Sequence, residues 1–421
     1  MMISVLTYFQ IFALFFTAVL LFFFQGFASY KSVVGVLALF SYTLVVYYFL
    51  RHGKVRDSMV KVFFVLLLLT GLYCITPTFY FTENELYKSY RLVLFGQTIP
   101  VSLMAVVAAY DTDAIDKMKS LTPLISILFL MLSFHGAFFP TATAGGGLAS
   151  TEYEMNYQSL GYMAAYASSF SLYFFLFFKN VKWHYIFKNR VSRWVAGIVY
   201  LLCFLVSIIA GGRGGFLLIL LQSAFLFYVY FRGSENFFKI IPVVVILIFI
   251  GLSIFYFAST IGIDSSGYSR ILGFVEGESE GRNSLWSLAI KKFLNSPIWG
   301  YGLGSVFYET GFYSHNMFTD LLVETGILGT SLFCVLLLST VKKGIGFLKF
   351  DKSECIWLML FLDGFVLGLF SSYYVAICPM IWSIVFIQVK LPSQKNKKKL
   401  CKYWLLLRYI REEGRLRALL Q

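Results

Sequence analysis

Apolar runs of about 20 residues recur along this chain, and each is long enough to cross the roughly 30 Å hydrocarbon core of a bilayer. Nothing else in the sequence restricts the fold so strongly. Only 13% of the residues are charged and 59% are hydrophobic. A soluble domain carries roughly a quarter charged residues, so the balance excludes one here. The expected fold is an all-α polytopic membrane protein with about 12 transmembrane helices. The spans fall near 4–28, 32–50, 62–81, 92–110, 121–140, 157–178, 194–210, 215–231, 240–259, 317–341, 355–371 and 373–389. One membrane domain, residues 1–389, accounts for nearly the whole length.

The formal charge of +14 would suit a nucleic-acid ligand, but its placement argues for a membrane. With the N-terminus inside, 27 of the 35 Lys and Arg residues fall in the cytoplasmic loops 51–61, 111–119, 179–193, 232–239 and 342–352 and in the tail 390–421. That is the asymmetry of the positive-inside rule. The first charge is Lys31 and no A-x-A site follows the first span, so that span reads as a retained helix. The tail mixes Trp404, Leu405, Tyr409 and Ile410 with arginines at helical spacing, as in an amphipathic helix on an anionic leaflet. None of the six cysteines lies in the long outward segments, so neither a disulfide nor a metal cluster is expected.

Two outward segments are large, 141–156 and about 260–316. A loop as long as the second, set in a compact membrane protein, is usually functional. No internal repeat is found, which weighs against many transporter folds.

The polar residues that could carry chemistry cluster in and around that second segment. Arg213 sits in AGGRGGF between two apolar runs. It reads either as a solvated arginine in a tight outward turn or as an anion site, with glycines that let a ligand approach the backbone. Arg282 opens GRNSLWSLAIKKFLNSP, a short interfacial helix that ends before Pro297. Trp286 on it and Trp299 just past it suit the headgroup level, and Lys291 and Lys292 should meet lipid headgroups. The run GYGLG at 300–304 follows no strand, so it fails as a dinucleotide loop and reads as flexible loop packing.

His315 and Asn316 stand where the loop meets the tenth span. Asn316, Asp320 and Glu324 recur every four residues, so a helix puts them on one face. Acids entering a membrane on one stripe should face a polar cavity or pair with cations, here Arg213, Arg270 or Arg282. Glu324 reads more readily as part of a structural ion pair. Asp111 and Asp113 form a D-x-D pattern, but in a short cytoplasmic loop a metal role is not expected. Asp363 is an intramembrane acid with no role assignable from sequence.

Arg282, Trp286, Pro297, Gly300, Gly302, His315, Asn316, Asp320, Leu321, Leu322, Glu324, Gly326 and Gly329, preceded by Arg213-Gly214, form a pattern. It resembles the O-antigen polymerase and ligase superfamily. The resemblance implies a GT-C-like helical fold with a large outward loop between helices 9 and 10. It implies a glycosyltransferase of the bacterial cytoplasmic (inner) membrane, with its active site facing outward. The donor would be an undecaprenyl-diphosphate-linked oligosaccharide, the acceptor another, with no metal and no cofactor. Arg213 and Arg282 would hold the diphosphate and His315 would act on the acceptor hydroxyl, with Asn316, Asp320, Glu324 and Arg270 as supporting polar groups. Membrane lipids, a chain-length regulator and a flippase are the implied partners, and nucleic acid is not. The uninterrupted HNMFTDLLVETGILG is more like the polymerases. The alternatives are a ligase acting on lipid A-core and, in another class, a lipid-linked-oligosaccharide flippase or transporter.

Overall fold

The computed structural model describes residues 2–12, 30–52, 93–138, 157–209, 213–232, 282–302, 304–305, 314–370 and 377–390. Among the described residues all regular structure is helical. The helices are α1 (Met2–Ile11), α2 (Tyr30–His52), α3 (Ile99–Tyr110, preceded by a π turn at Leu94–Thr98), α4 (Thr112–Phe138), α5 (Tyr157–Leu176) and α6 (Arg190–Ile209). They continue as α7 (Arg213–Phe231), α8 (Arg282–Asn295), α9 (Met317–Leu348), α10 (Cys355–Phe370) and α11 (Cys378–Val389).

Among the described residues, 5 helices are long and apolar enough to cross a membrane, namely α4, α6, α7, α9 and α10. Shorter apolar helices lie at Val33–Tyr48, Leu94–Tyr110, Leu160–Leu176 and Cys378–Val389. A polytopic helical membrane protein fits this pattern. The expected spans at 62–81 and 240–259, the outward segment 141–156 and the tail beyond Lys390 lie outside the described residues.

Two expected loops are helical. The segment 111–119 forms the first turns of α4, where the Asp111 carboxylate accepts the Ala114 N–H at 3.0 Å. Asp113 pairs with Lys117 one turn on. The D-x-D pattern is thus a helix cap and an i,i+4 pair, both ordinary uses of acids at a helix start. In the expected loop 342–352, α9 runs on through Lys342 and Lys343 to Leu348.

The core is built on α5, which is buried nearly all round and packs against α4, α6 and α7. α7 touches α10, and α11 links α10 to α3. Close approach requires small residues where helices cross. A side chain at Gly215 of α7 would overlap the backbone of Gly161 on α5, and one at Gly214 would overlap the Tyr162 hydroxyl. These glycines therefore serve helix packing rather than a bent turn, since lipid offers no hydrophobic drive and interfaces rely on close van der Waals contact. Apolar side chains left outside, such as Val191, Trp194 and Ile198 on α6, suit a lipid-facing surface.

Several segments expected in the cytoplasm meet at one end of the bundle. Glu354 lies between Lys119, at 2.8 Å, and Lys390, and its other oxygen also accepts the Trp357 indole N–H. Lys352 donates to the carbonyls of Tyr230 and Arg232. Ser4 and Tyr8 of α1 donate to the carbonyls of Ala114 and Met118. Alternation of short loops explains why these segments share an end.

Candidate functional site

The opposite end is organised by α8 and the start of α9. α8 buries Ala289 and Phe293 against Val323 of α9. The Trp286 indole N–H donates to the Ser314 carbonyl at 2.9 Å, so α8 clamps the residue before His315. The Ser314 N–H donates to Asp320 Oδ1 at 2.9 Å, and the Ser314 hydroxyl donates to the Asn316 carbonyl at 3.0 Å. Asn316 caps α9: its side-chain oxygen accepts the N–H groups of Phe318 and Thr319 at 3.0 and 3.3 Å. Capping satisfies two of the donors that a helix start leaves free.

His315 is pinned between these two tied neighbours with φ +60°. It is the non-glycine with positive φ among the described residues. Such a conformation costs on the order of 1–3 kcal/mol and persists where the surroundings over-determine it, often at functional sites. The spacing of Asn316, Asp320 and Glu324 holds as a stripe, with the Asp320 N–H donating to the Asn316 carbonyl at 3.0 Å. Asp320 and Glu324 are both almost fully buried. Asp320 Oδ2 is buried and accepts no hydrogen bond among the described residues. A buried polar atom in that state asks for an explanation.

Sequence reasoning missed the break in α9. Gly326 has φ +63° and ψ −167°, so the helix stops and restarts there. The turn after α8 fills the gap. The N–H groups of Tyr301 and Gly302 donate to the carbonyls of Val323 and Glu324 at 2.9 and 2.8 Å. In return, the N–H groups of Ile327 and Leu328 donate to the carbonyls of Pro297 and Ile298 at 2.8 and 3.4 Å. The GYGLG run is therefore a docked turn rather than flexible packing. Its glycines have positive φ at 300, 302 and 304, and a side chain at Gly300 would lie 2.5 Å from the Glu324 carbonyl carbon. The available signal was the pair Gly300-x-Gly302 with Gly326.

Lys292 also departs from expectation. It donates to the Ser305 carbonyl at 3.3 Å and sits over the Tyr301 ring, so it braces the turn rather than reaching headgroups. Lys291 is exposed. Arg213 and Arg282 open α7 and α8. Their side chains, and all of Arg270, lie outside the described residues. Asp363 lies away from this end, where it accepts a hydrogen bond from Gln222 of α7 in the buried core. Among the described residues no group of three His, Cys, Asp or Glu side chains is placed to hold a metal ion.

Residues 196–334 match the family model described as O-antigen ligase. The match supports the likeness of this stretch to the O-antigen polymerase and ligase superfamily. The match covers a third of the chain, from α6 into α9, and it contains Arg213, Arg270, Arg282, His315, Asn316, Asp320 and Glu324. Neither the search of curated proteins nor that of solved structures found a match. The matched stretch thus takes in α8, the docked turn and the His315 corner as one connected unit.

Proposed function

We propose that this protein is a polymerase that joins undecaprenyl-diphosphate-linked oligosaccharide repeat units, of O-antigen or capsule, on the outer face of the bacterial cytoplasmic membrane. The fold in this reading is GT-C-like, with about 12 spans and the outward segment, about 260–316, between the expected ninth and tenth spans. The observation that carries the reading is His315, held in a left-handed conformation above buried Asp320 within the O-antigen ligase region.

In this reading an acceptor sugar hydroxyl attacks the anomeric carbon of the donor glycan. A new glycosidic C–O bond forms, and the bond to the diphosphate breaks. Neutral His315 takes the hydroxyl proton, and undecaprenyl diphosphate leaves with the bonding electrons. Arg213 and Arg282 hold the departing diphosphate, since guanidinium binds phosphate oxygens bidentately and stays charged. Fixed cations of this kind stabilise leaving-group charge without reorganisation. General-base help is typically worth about 10²–10⁴ in rate.

Two experiments test this. Deleting the gene and resolving the surface glycan on a gel separates the classes. Single-repeat product supports a polymerase. Glycan stranded on carrier lipid would mean a ligase, and repeat units trapped inside would mean a flippase. Donor binding and turnover on purified His315→Ala then test the residue. Binding kept with turnover lost is expected. Normal turnover would remove His315 from the mechanism.

A further inference from the structure

We infer that α8 and the turn after it form a re-entrant membrane anchor, with Leu294, Ile298 and Trp299 immersed in the acyl chains of the outer leaflet. The inference rests on the depth of the α9 break, which does not depend on the reaction the protein performs. Exposed Lys342 marks the basic end of α9. From Lys342 the unbroken segment reaches back to Gly326, about 24 Å at the helical rise. A hydrocarbon core is about 30 Å thick, so Gly326 lies about 6 Å inside its far edge. Ile298 and Trp299 are fixed at that level, because the Ile298 carbonyl accepts the Leu328 N–H and the adjoining Pro297 carbonyl accepts the Ile327 N–H.

Three further observations point to lipid as the occupant. First, these side chains are open: Trp299 is 75% exposed, Leu294 65% and Ile298 55%. Second, their surface is continuous with the outer face of α9, where Ile327, Leu328 and Leu332 are also exposed. That face belongs to α9, which is long and apolar enough to cross a membrane. Third, the turn makes its backbone bonds with protein. Besides the four bonds to α9, the Ser296 hydroxyl donates to the Gly300 carbonyl at 2.9 Å, and the Gly300 N–H donates to the Ser296 carbonyl. Irregular backbone is tolerated at membrane depth where neighbouring protein satisfies its polar groups. The polar flank of α8, with Ser287, Lys291 and Asn295, is then left toward the headgroups. Trp299 sits below the headgroup level at which its sequence alone would place it.

The test uses the full-length protein in lipid nanodiscs and reads tryptophan fluorescence. The difference between the natural protein and Trp299→Phe isolates Trp299 among the 7 tryptophans. Lipids brominated at mid-chain should quench most of that component, and aqueous iodide should leave it nearly unchanged. Quenching by iodide and not by bromolipid would overturn the anchor in favour of a water-facing turn. Quenching by neither would overturn it in favour of contact with another protein surface. If Trp299→Phe is unstable, fluorescence of an Ile298→Trp variant, compared with the natural protein, reads the same depth, and the same two quenching patterns would overturn the anchor.

Discussion

Replacing Gly326 with alanine perturbs one atom at the point where the candidate site is assembled. At φ +63° and ψ −167° the backbone is in a region that is essentially glycine's alone. The added methyl would also overlap the Ile298 carbonyl. The turn must back away, which breaks the bonds from Tyr301, Gly302, Ile327 and Leu328. Strain of about 1–3 kcal/mol, before the overlap is counted, raises the docked state and lowers the ratio of docked to undocked turn by roughly 5- to 150-fold. Each hydrogen bond given up as the turn backs away is worth about 1 kcal/mol. Once undocked, the first segment of α9 is free to straighten and carry Asp320 and Glu324 away from the Ser314 loop. Surface-glycan gels of a deletion strain carrying Gly326→Ala should therefore show severe loss of polymer. Hydrogen exchange on the purified protein should show faster exchange at 301–302 and 327–328. Gly346→Ala on the same helix is the control, because a methyl there meets nothing within 4 Å. It should behave as the natural protein does. Natural polymer length and unchanged protection in Gly326→Ala would refute the docked-turn argument.

Further outcomes follow from other parts of the fold. Glu354→Ala leaves Lys119 and Lys390 buried without their counter-charge, so thermal stability in detergent should fall by an amount equivalent to about 3–5 kcal/mol; an unchanged melting curve would mean that water already compensates these lysines. Asp363 and Gln222 should be coupled by about 1–2 kcal/mol, so Asp363→Ala/Gln222→Leu should lose less stability than the two single losses added together. Arg213→Lys should fold and still fail in transfer, because lysine keeps the charge and loses the planar fork; near-natural polymer yield would remove the bidentate role. Turnover of purified protein should persist in excess chelator, and activity lost with EDTA and restored by magnesium would overturn the arginine-based reading of leaving-group stabilisation.

The membrane helices were legible because their signal is collective. Twenty apolar residues in a row need no partner to declare themselves, and the described helices overlap the expected spans, although α4 starts nine residues before 121 and α9 runs seven past 341. The stripe Asn316–Asp320–Glu324 was legible for a similar reason, since helical periodicity is local. Cap chemistry was harder. Asp111 looks the same in a string of letters whether it holds a metal or the Ala114 N–H, and the helix that follows decides it.

The docked turn was hidden for a different physical reason. Its four bonds to α9 run from backbone to backbone, and every residue type offers the same N–H and C=O. What side-chain identity can record is the permission for close approach, and only glycine grants it at 300 and 326. Those two residues are 26 positions apart in the chain and belong to one junction. The same junction gives Asp320 its setting. The turn closes the gap at Gly326, and in the segment of α9 before that gap Asp320 Oδ1 meets the Ser314 N–H. The conformation of His315 is thus set by two anchors, the Asn316 cap on one side and the Ser314–Asp320–Trp286 ties on the other. Weakening either anchor should relax φ at His315 before it unfolds the helices packed around α5, which share a separate core.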